Sequence, residues 1–245
     1  MNSRKVRDLT VIKIDNEKTM IIACDSCGSA GMKQYDILKV HPFFTGKFTV
    51  RVAVMEVLCS GAKIIAITNC VCNEMNNTGL EIIKGIKDEL LEADINNAVL
   101  TGSTEENFKT LSTGLGVTVI GIVENKNLKL NKSKVGNAII SVGLPKVGNE
   151  INLNFDNEVI GYKILKKLFE LEYVYEIVPV GSKGILYEAE TLAKTNNLKL
   201  KLIRPINIDI YKSAGPSTVI IASVKSDRVK DLYLLGNVNL IGTLV

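Results

Sequence analysis

Between residues 124 and 137 the chain reads ENKNLKLNKSKVGN, a polar, lysine-rich run without apolar periodicity. On both sides lie short apolar runs rich in β-branched residues, interspersed with stretches of helical period. A polar run of this kind interrupts any single hydrophobic core, and 245 residues suffice for two small domains. Domains are therefore expected at residues 1–132 and 133–245. No aromatic residue interleaves with these lysines and the net charge is only +4, which argues against a nucleic-acid partner.

In the first half, strand-like runs occupy residues 9–14, 19–24, 36–40, 63–70, 97–102 and 116–124. A helix is expected over 49–61, burying Val50, Ala53, Val54, Val57 and Leu58, with Gly61 as its C-terminal cap. A second helix, over 78–94, opens with the capping-box pattern Thr78-x-x-Glu81 and should bury Leu80, Ile83, Ile86 or the stem of Lys87, and Leu90. The second half reads strand 138–145, helix 157–172, strand 175–180, helix 185–194, then strands 198–203, 217–224 and 232–242. This order suits two consecutive α+β halves better than a regular βαβ sheet. No apolar run reaches membrane-spanning length and MNSRKVRDLT lacks the apolar core of a signal peptide, so no membrane partner and a cytoplasmic location are expected. The five cysteines should then be reduced thiols.

The stretch IACDSCGSAGMKQYD, residues 22–36, supports two incompatible chemistries. Cys24 and Cys27 form a C-x-x-C pair that Cys70 and Cys72 could complete as a four-thiolate zinc site. The second pair is C-x-C, which is not the usual knuckle, and small cysteines beside apolar strands are commonly core residues. In the other reading Asp25 sits at a strand end, Gly28 and Gly31 admit close backbone approach, and Lys33 offers a point charge for phosphate. Asp25, Asp36 and Glu56 could then supply carboxylates to magnesium. On spacing alone a plain turn serves as well as a site.

Three further features bear on function. LTGSTEENFKT, residues 100–110, follows a strand and gathers Ser103, Thr104, Glu105 and Asn107, a set able to hold a metal–nucleotide or to close a solvated turn. Arg51 and Glu56 interrupt the apolar face of the 49–61 helix at a spacing that does not pair them on one face. His41, the only histidine, precedes Pro42 and two phenylalanines, a setting typical of a structural histidine.

At these residues the chain resembles the superfamily of aminoimidazole ribonucleotide synthetase, thiamine-monophosphate kinase, selenophosphate synthetase and the hydrogenase carbamoyl-dehydratase. ACDSCGSAGMKQYD is similar to its Asp-Gly-x-Gly-x-Lys segment, MEVLCSGAK to its Asn-Asp-Leu helix end, and LTGSTEEN with TGLGVTVIGIVE to its Gly-Gly-(Glu/Asp)-Thr loop and next strand. VGNAIISVGLP, VPVGSKGILYEAETLA and KSAGPSTVIIASV resemble the second half. The chain departs from the pattern where Glu56 replaces an aspartate, where Ser103-Thr104 interrupts the glycine loop, and where KVGNEINLNFDNE replaces the polar phosphate loop after GLP. Among the branches, the wording of these segments looks most like alpha-ribazole kinase.

The resemblance implies a two-domain α+β fold of the aminoimidazole ribonucleotide synthetase type, whose N-terminal sheet pairs across a homodimer into a β-barrel. It implies ATP and Mg2+ as cofactors, and transfer of a phosphoryl group to the ribose 5′-hydroxyl of a nucleoside, alpha-ribazole. By position, Asp25, Asp36 and Glu56 would hold magnesium. Gly28, Gly31, Lys33, Arg51, Ser103, Thr104 and Asn107 would bind nucleotide. Asp25, Lys33 and Glu105 would serve catalysis, with Asp25 as first choice for a base. A phosphate-bearing vitamin or an amidine-forming reaction on the same fold, or a silent nucleotide-binding dimer, are the alternatives.

Overall fold

A computed structural model describes residues 2–153 and 156–245. The chain forms two compact units, Met1–Asn127 and Leu128–Val245. The later part of the polar run belongs to the second unit, because the buried Glu176 carboxylate accepts hydrogen bonds from the N–H groups of Asn131 and Ser133, at 2.7 and 3.0 Å. The Asn196 amide donates to the same carboxylate at 2.7 Å.

The first unit contains β1 (Asn2–Val6), β2 (Leu9–Lys13), β3 (Lys18–Gly28), the two-residue pair β4 (Ala30–Gly31) and β5 (Leu38–Lys39), α1 (Pro42–Cys59), β6 (Lys63–Val71), α2 (Leu80–Glu92), β7 (Val99–Thr104) and β8 (Gly114–Glu124). Its main sheet has six strands in the order β1-β2-β3-β8-β6-β7. The sheet is open, with β1 and β7 as its edges, and does not close into a barrel within one chain. Strand β1 has no expectation behind it: only Val6 is buried, so NSRKV carries no alternation to read. Strands β3 and β8 run past their apolar cores until Gly28 pairs with Gly114, an extension that glycines hide from a propensity reading.

Helix α1 begins well before residue 49. His41 is its N-cap, with Nδ1 accepting from the Phe43 N–H at 3.4 Å, and Pro42 occupies the first turn where its missing N–H costs nothing. In α2 the capping box is not made: Gly79 takes the cap position and Glu81 pairs with Lys84 at 2.5 Å. Its buried face is Ile82, Gly85, Ile86, Glu89 and Leu90, while Leu80 is exposed. The rotation follows from the helix contact. A Cβ on Gly85 would lie 1.8 Å from the Phe43 carbonyl oxygen, and one on Gly46 would lie 2.0 Å from that of Ile82. The helices thus meet backbone to backbone along a glycine line, which turns Gly85 inward.

Helix α1 rests on β3 and β8. Gly121 of β8 makes room for it, since a Cβ there would meet Val57 Cγ1 at 2.6 Å. Arg51, on the α2 side of α1, is buried and pairs with the buried Glu89 at 3.1 Å, while Lys47 joins Asp88 at 2.6 Å and Glu92 at 2.5 Å. The helices cover one face of the sheet. On the other face Cys24, Cys70 and Cys72 are exposed, and Met20, Ile22, Ile120 and Ile122 are half-buried.

The second unit contains β9 (Ala138–Val142), α3 (Tyr162–Glu170), β10 (Val174–Pro179), α4 (Gly184–Thr195), β11 (Leu200–Leu202), β12 (Ile220–Val224), α5 (Val229–Leu232) and β13 (Val238–Leu244). Its antiparallel sheet runs β10-β12-β9-β13-β11. β9 and β12 are buried at every position, as central strands covered on both faces should be. Ile185, Ala189 and Leu192 of α4 pack into a core with Ile139, Val178 and Ile221. Among the described residues no helix is long and apolar enough to cross a membrane.

The glycine contact gives a direct test. Gly85→Ala must push two helix backbones apart and should cost about 3 kcal/mol of stability in denaturant unfolding, the upper range for overpacking. Gly28→Ala, where an added Cβ meets nothing within 4 Å, should leave the unfolding midpoint nearly unchanged.

Candidate functional site

β3, β6 and β7 all run antiparallel to β8 in direction, β3 and β6 by direct pairing and β7 through its parallel register with β6. The segments leaving their C-terminal ends, around residues 28–40, 72–79 and 104–113, therefore emerge at one end of the sheet. The polar residues singled out by sequence cluster on these three segments.

Side chains alternate along β3, so Asp25 and Cys27 lie on the helix-covered face with Ile21 and Ala23, and Cys24 and Ser26 on the other. Cys24 and Cys27 therefore point to opposite faces and cannot act as one chelating pair. Burial raises the Asp25 carboxyl to about 6, outweighing the Ser26 N–H that stabilises its anion. The Cys27 thiol is pushed up by burial first, against a hydrogen bond from Thr49 of α1, with the charges of Asp25 and Asp36 adding to the rise. Asp25, Cys27, Thr49 and Asp36 thus share one neighbourhood.

Asp36 is buried and fully bonded: Oδ1 accepts the Thr113 N–H at 2.7 Å, and Oδ2 accepts the Thr113 hydroxyl and the Lys33 N–H, each at 2.7 Å. Gly31 sits against this knot. A Cβ there would fall 2.1 Å from Thr113 Oγ1 and 2.7 Å from Asp36 Oδ2, so only glycine fits. The Lys33 amine pairs with the Glu74 carboxylate. Glu74 also accepts the Thr110 N–H and the Thr110 hydroxyl, each at 2.9 Å. Lys33 first, then the residue's own N–H and Thr110, pull the Glu74 carboxyl down to about 2. Asn73, fully buried, donates to Thr110 Oγ1 at 2.7 Å and to the Ser112 carbonyl at 2.8 Å, and accepts the Gly114 N–H at 3.0 Å.

On the third segment, Glu105 accepts the N–H groups of Asn107 and Phe108 at 2.7 and 3.3 Å, closing its own turn. Glu106 takes the Thr104 hydroxyl at 2.7 Å and the Met75 N–H at 2.8 Å. Thr104, Ser103, Asn69 and Lys87 line a cavity of about 270 Å³ beside β7. Gly102 is required here, because an added Cβ would lie 2.4 Å from both the backbone and side-chain oxygens of Asn69.

The structure therefore gathers Asp25, Gly31, Lys33 and Asp36, and brings the Ser103–Asn107 segment to the same end of the sheet. It separates two others. Arg51, expected at the nucleotide, is instead enclosed between α1 and α2 with Glu89. Glu56, expected as a third magnesium carboxylate, lies two turns beyond Thr49, roughly 10 Å along the helix axis. There its charge acts on Cys59 together with Arg7. Gly28 borders open space, so packing does not demand a glycine. Among the described residues no three His, Cys, Asp or Glu side chains are placed to hold a metal ion between them. Sequence reasoning passed over Asn73, Glu74, Glu106 and Thr110. The one signal was the polar pair Asn73-Glu74 directly after an apolar strand, masked by the neighbouring cysteines.

Residues 6–123 match the family described as AIR synthase related protein, N-terminal domain. No curated protein matches the chain. Among solved structures, Thermotoga maritima PurL complexed with FGAR superposes at a TM-score of 0.69 with 15% identity, covering 96% of this chain and 43% of that one. The chain thus spans less than half of PurL. Thiamine monophosphate kinase from Aquifex aeolicus superposes at 0.68 with 13% identity, covering 98% of this chain and 89% of that one. The ThiL complex with AMPPCP and TMP gives 0.68 at 12% identity, with 98% and 86% covered. The chain therefore has the mixed α+β fold of these proteins, and its first unit is similar to the N-terminal domain of AIR synthase related proteins.

Proposed function

We propose that this chain is an ATP-dependent phosphotransferase that acts on the ribose 5′-hydroxyl of a nucleoside, with alpha-ribazole as substrate. The observation that carries the reading is the joining of the Lys33 loop to the 104–113 loop by Asp36 and Glu74, at the sheet end where Asp25 stands. Likeness over nearly the whole chain to a kinase complexed with an ATP analogue supports it.

Phosphoryl transfer asks the protein mainly to position reactants and to balance charge. The ribose hydroxyl oxygen attacks the γ-phosphorus, the bond to the β-phosphate oxygen breaks, ADP leaves with the electron pair, and the hydroxyl proton passes to Asp25 or to water. Lys33 would steady the phosphates, its backbone fixed by the bond from its N–H to Asp36. Asp25 fits a cation, since burial disfavours its charged form and a bound cation would offset that cost. Magnesium carried on a triphosphate needs only one or two protein carboxylates, and would supply charge neutralisation there. Asp36, with both oxygens bonded, would hold the loop rather than the ion.

A substrate already bearing phosphate, as in the complex with TMP, is the second reading. The loop after GLP speaks for the nucleoside instead. Its Lys146 is held between Asp156 at 2.8 Å and Glu158 at 2.6 Å, and its Glu150 takes Lys212 of a later segment at 2.9 Å, so the loop itself carries more acid than base and is a poor seat for a phosphate. Asn154 and Phe155 of that loop lie outside the described residues. The partner of the open sheet face would be a second copy of the chain, closing β-strands into a barrel and covering Met20, Ile22, Ile120 and Ile122.

Labelled ATP with a panel of nucleosides and phosphorylated vitamins tests the activity; phosphate transfer only to the phosphorylated compounds would reverse the substrate assignment. Asp25→Asn should lower turnover by about two orders of magnitude. The same variant separates function from folding. Asp25 titrates from 3.8 when unfolded to about 6 when folded, so the folded chain keeps a proton that the unfolded chain loses. Stability is thus lost as pH rises from about 4 to 6. Asp25→Asn should therefore unfold at a higher temperature than the parent above pH 6, with the difference closing toward pH 4. In sedimentation at micromolar concentration the chain should run as a dimer; an active monomer would exclude the barrel.

A further inference from the structure

The pairing of Lys33 with Glu74 is asymmetric. The Lys33 backbone is fixed on both sides, its N–H donated to Asp36 and its carbonyl accepting the Lys39 amine at 2.5 Å, so only the side chain can turn. The Lys33 side chain is 18% exposed and that of Glu74 27%, so an unpartnered charge would be only partly hydrated in either. Their other contacts differ. Glu74 keeps two donors on Thr110 whatever Lys33 does, and Asn73 fixes the Thr110 hydroxyl in place. Among the described residues Glu74 is the side-chain acceptor of the Lys33 amine, so the amine leaves it only for another anion. Glu106 lies within range of the Glu74 charge.

We propose that Glu74 is an internal counter-ion that occupies Lys33 until a polyphosphate displaces it, and that it thereby sets the affinity of this site for polyphosphate. Glu74 is then a positioning residue: it keeps the amine extended toward the 104–113 loop, and remains on Thr110 after release. The inference rests on the reading of Lys33 as the phosphate-binding lysine.

The test is calorimetric titration of the full chain with two probes, inorganic tripolyphosphate and the ATP analogue AMPPCP, on four proteins: wild type, Glu74→Gln, Lys33→Met and the double variant. Removing the competing carboxylate should tighten both probes by about tenfold, and removing the lysine should weaken both by a similar factor. In the double variant the Glu74→Gln gain should vanish, a non-additivity that a merely structural glutamate would not produce. Should Glu74→Gln fail to fold, Glu74→Asp keeps a charge but shortens its reach, and should tighten binding by about twofold to threefold. Unchanged or weaker binding in a folded variant overturns the proposal, as does an equal gain with and without Lys33. Tripolyphosphate binding that responds to Glu74→Gln while AMPPCP does not bind would leave the counter-ion standing and sink the kinase reading. AMPPCP binding indifferent to Glu74 would do the reverse. Absence of binding by either probe would overturn both.

Discussion

Three glycines set the spacing on which the first unit depends. Gly46 and Gly85 bring α1 and α2 into backbone contact, and Gly121 seats α1 on β8. Side chains at any of the three would lift α1 off the sheet or off its partner, because the atoms in the way at Gly46 and Gly85 are carbonyl oxygens rather than rotatable groups. The closeness has an electrostatic consequence. Arg51 and Glu89 are drawn into the helix interface, where an ion pair persists only because both partners are present and well placed. It also fixes which face of β3 is roofed, and so places Asp25 half out of water beneath α1.

The carboxylates near the sheet end divide their work according to their surroundings. Asp36, with three hydrogen-bond donors, ties the Lys33 loop to Thr113. Glu74 balances Lys33 and ties the same loop to Thr110. Glu105 closes a turn of its own segment, and Glu106 ties Thr104 to the Met75 N–H. Asp25 is raised by burial, which outweighs the Ser26 N–H that stabilises its anion. An acid in that condition gains most from an arriving cation, because the charge it would cancel is the one the protein leaves least compensated.

Much of the architecture was legible in the sequence and some of the site was not, for physical reasons. The apolar cores of β2, β3, β6 and β8 show in their β-branched residues, and both helices of the first unit show in their period. β1 is polar and exists only through its register with β2. The start of α1 hides behind Pro42 and Gly46, residues that usually mark breaks but here serve as a first-turn residue and a contact surface. The α2 capping box had the right letters, yet the helix contact decided which face turned inward. At the site, Asp25 and Lys33 stood out because aspartate, glycine and lysine together are unusual after an apolar strand. Glu74 and Thr110 could not, because their roles arise from a contact between segments far apart in the chain.

The place of the site follows from strand direction. Because β3, β6 and β7 point the same way, three polar segments converge where β8 begins, and each solves its neighbour's unpaired groups: Asn73 takes the Gly114 N–H, Asp36 the Thr113 N–H, Glu74 the Thr110 N–H. Segments held by one another's side chains, rather than by sheet ladders, can exchange those bonds for bonds to a ligand without disturbing the core. The opposite face of the same strands cannot do this work. There the rows run from Ile22, Ile120 and Ala66 to Cys24, Thr118 and Thr68, side chains with little charge to offer and no loop to move. Alternation along β3 thus separates the two thiols of a single C-x-x-C: Cys27 lies beside Asp25 on the roofed face, and Cys24 is exposed on the opposite one.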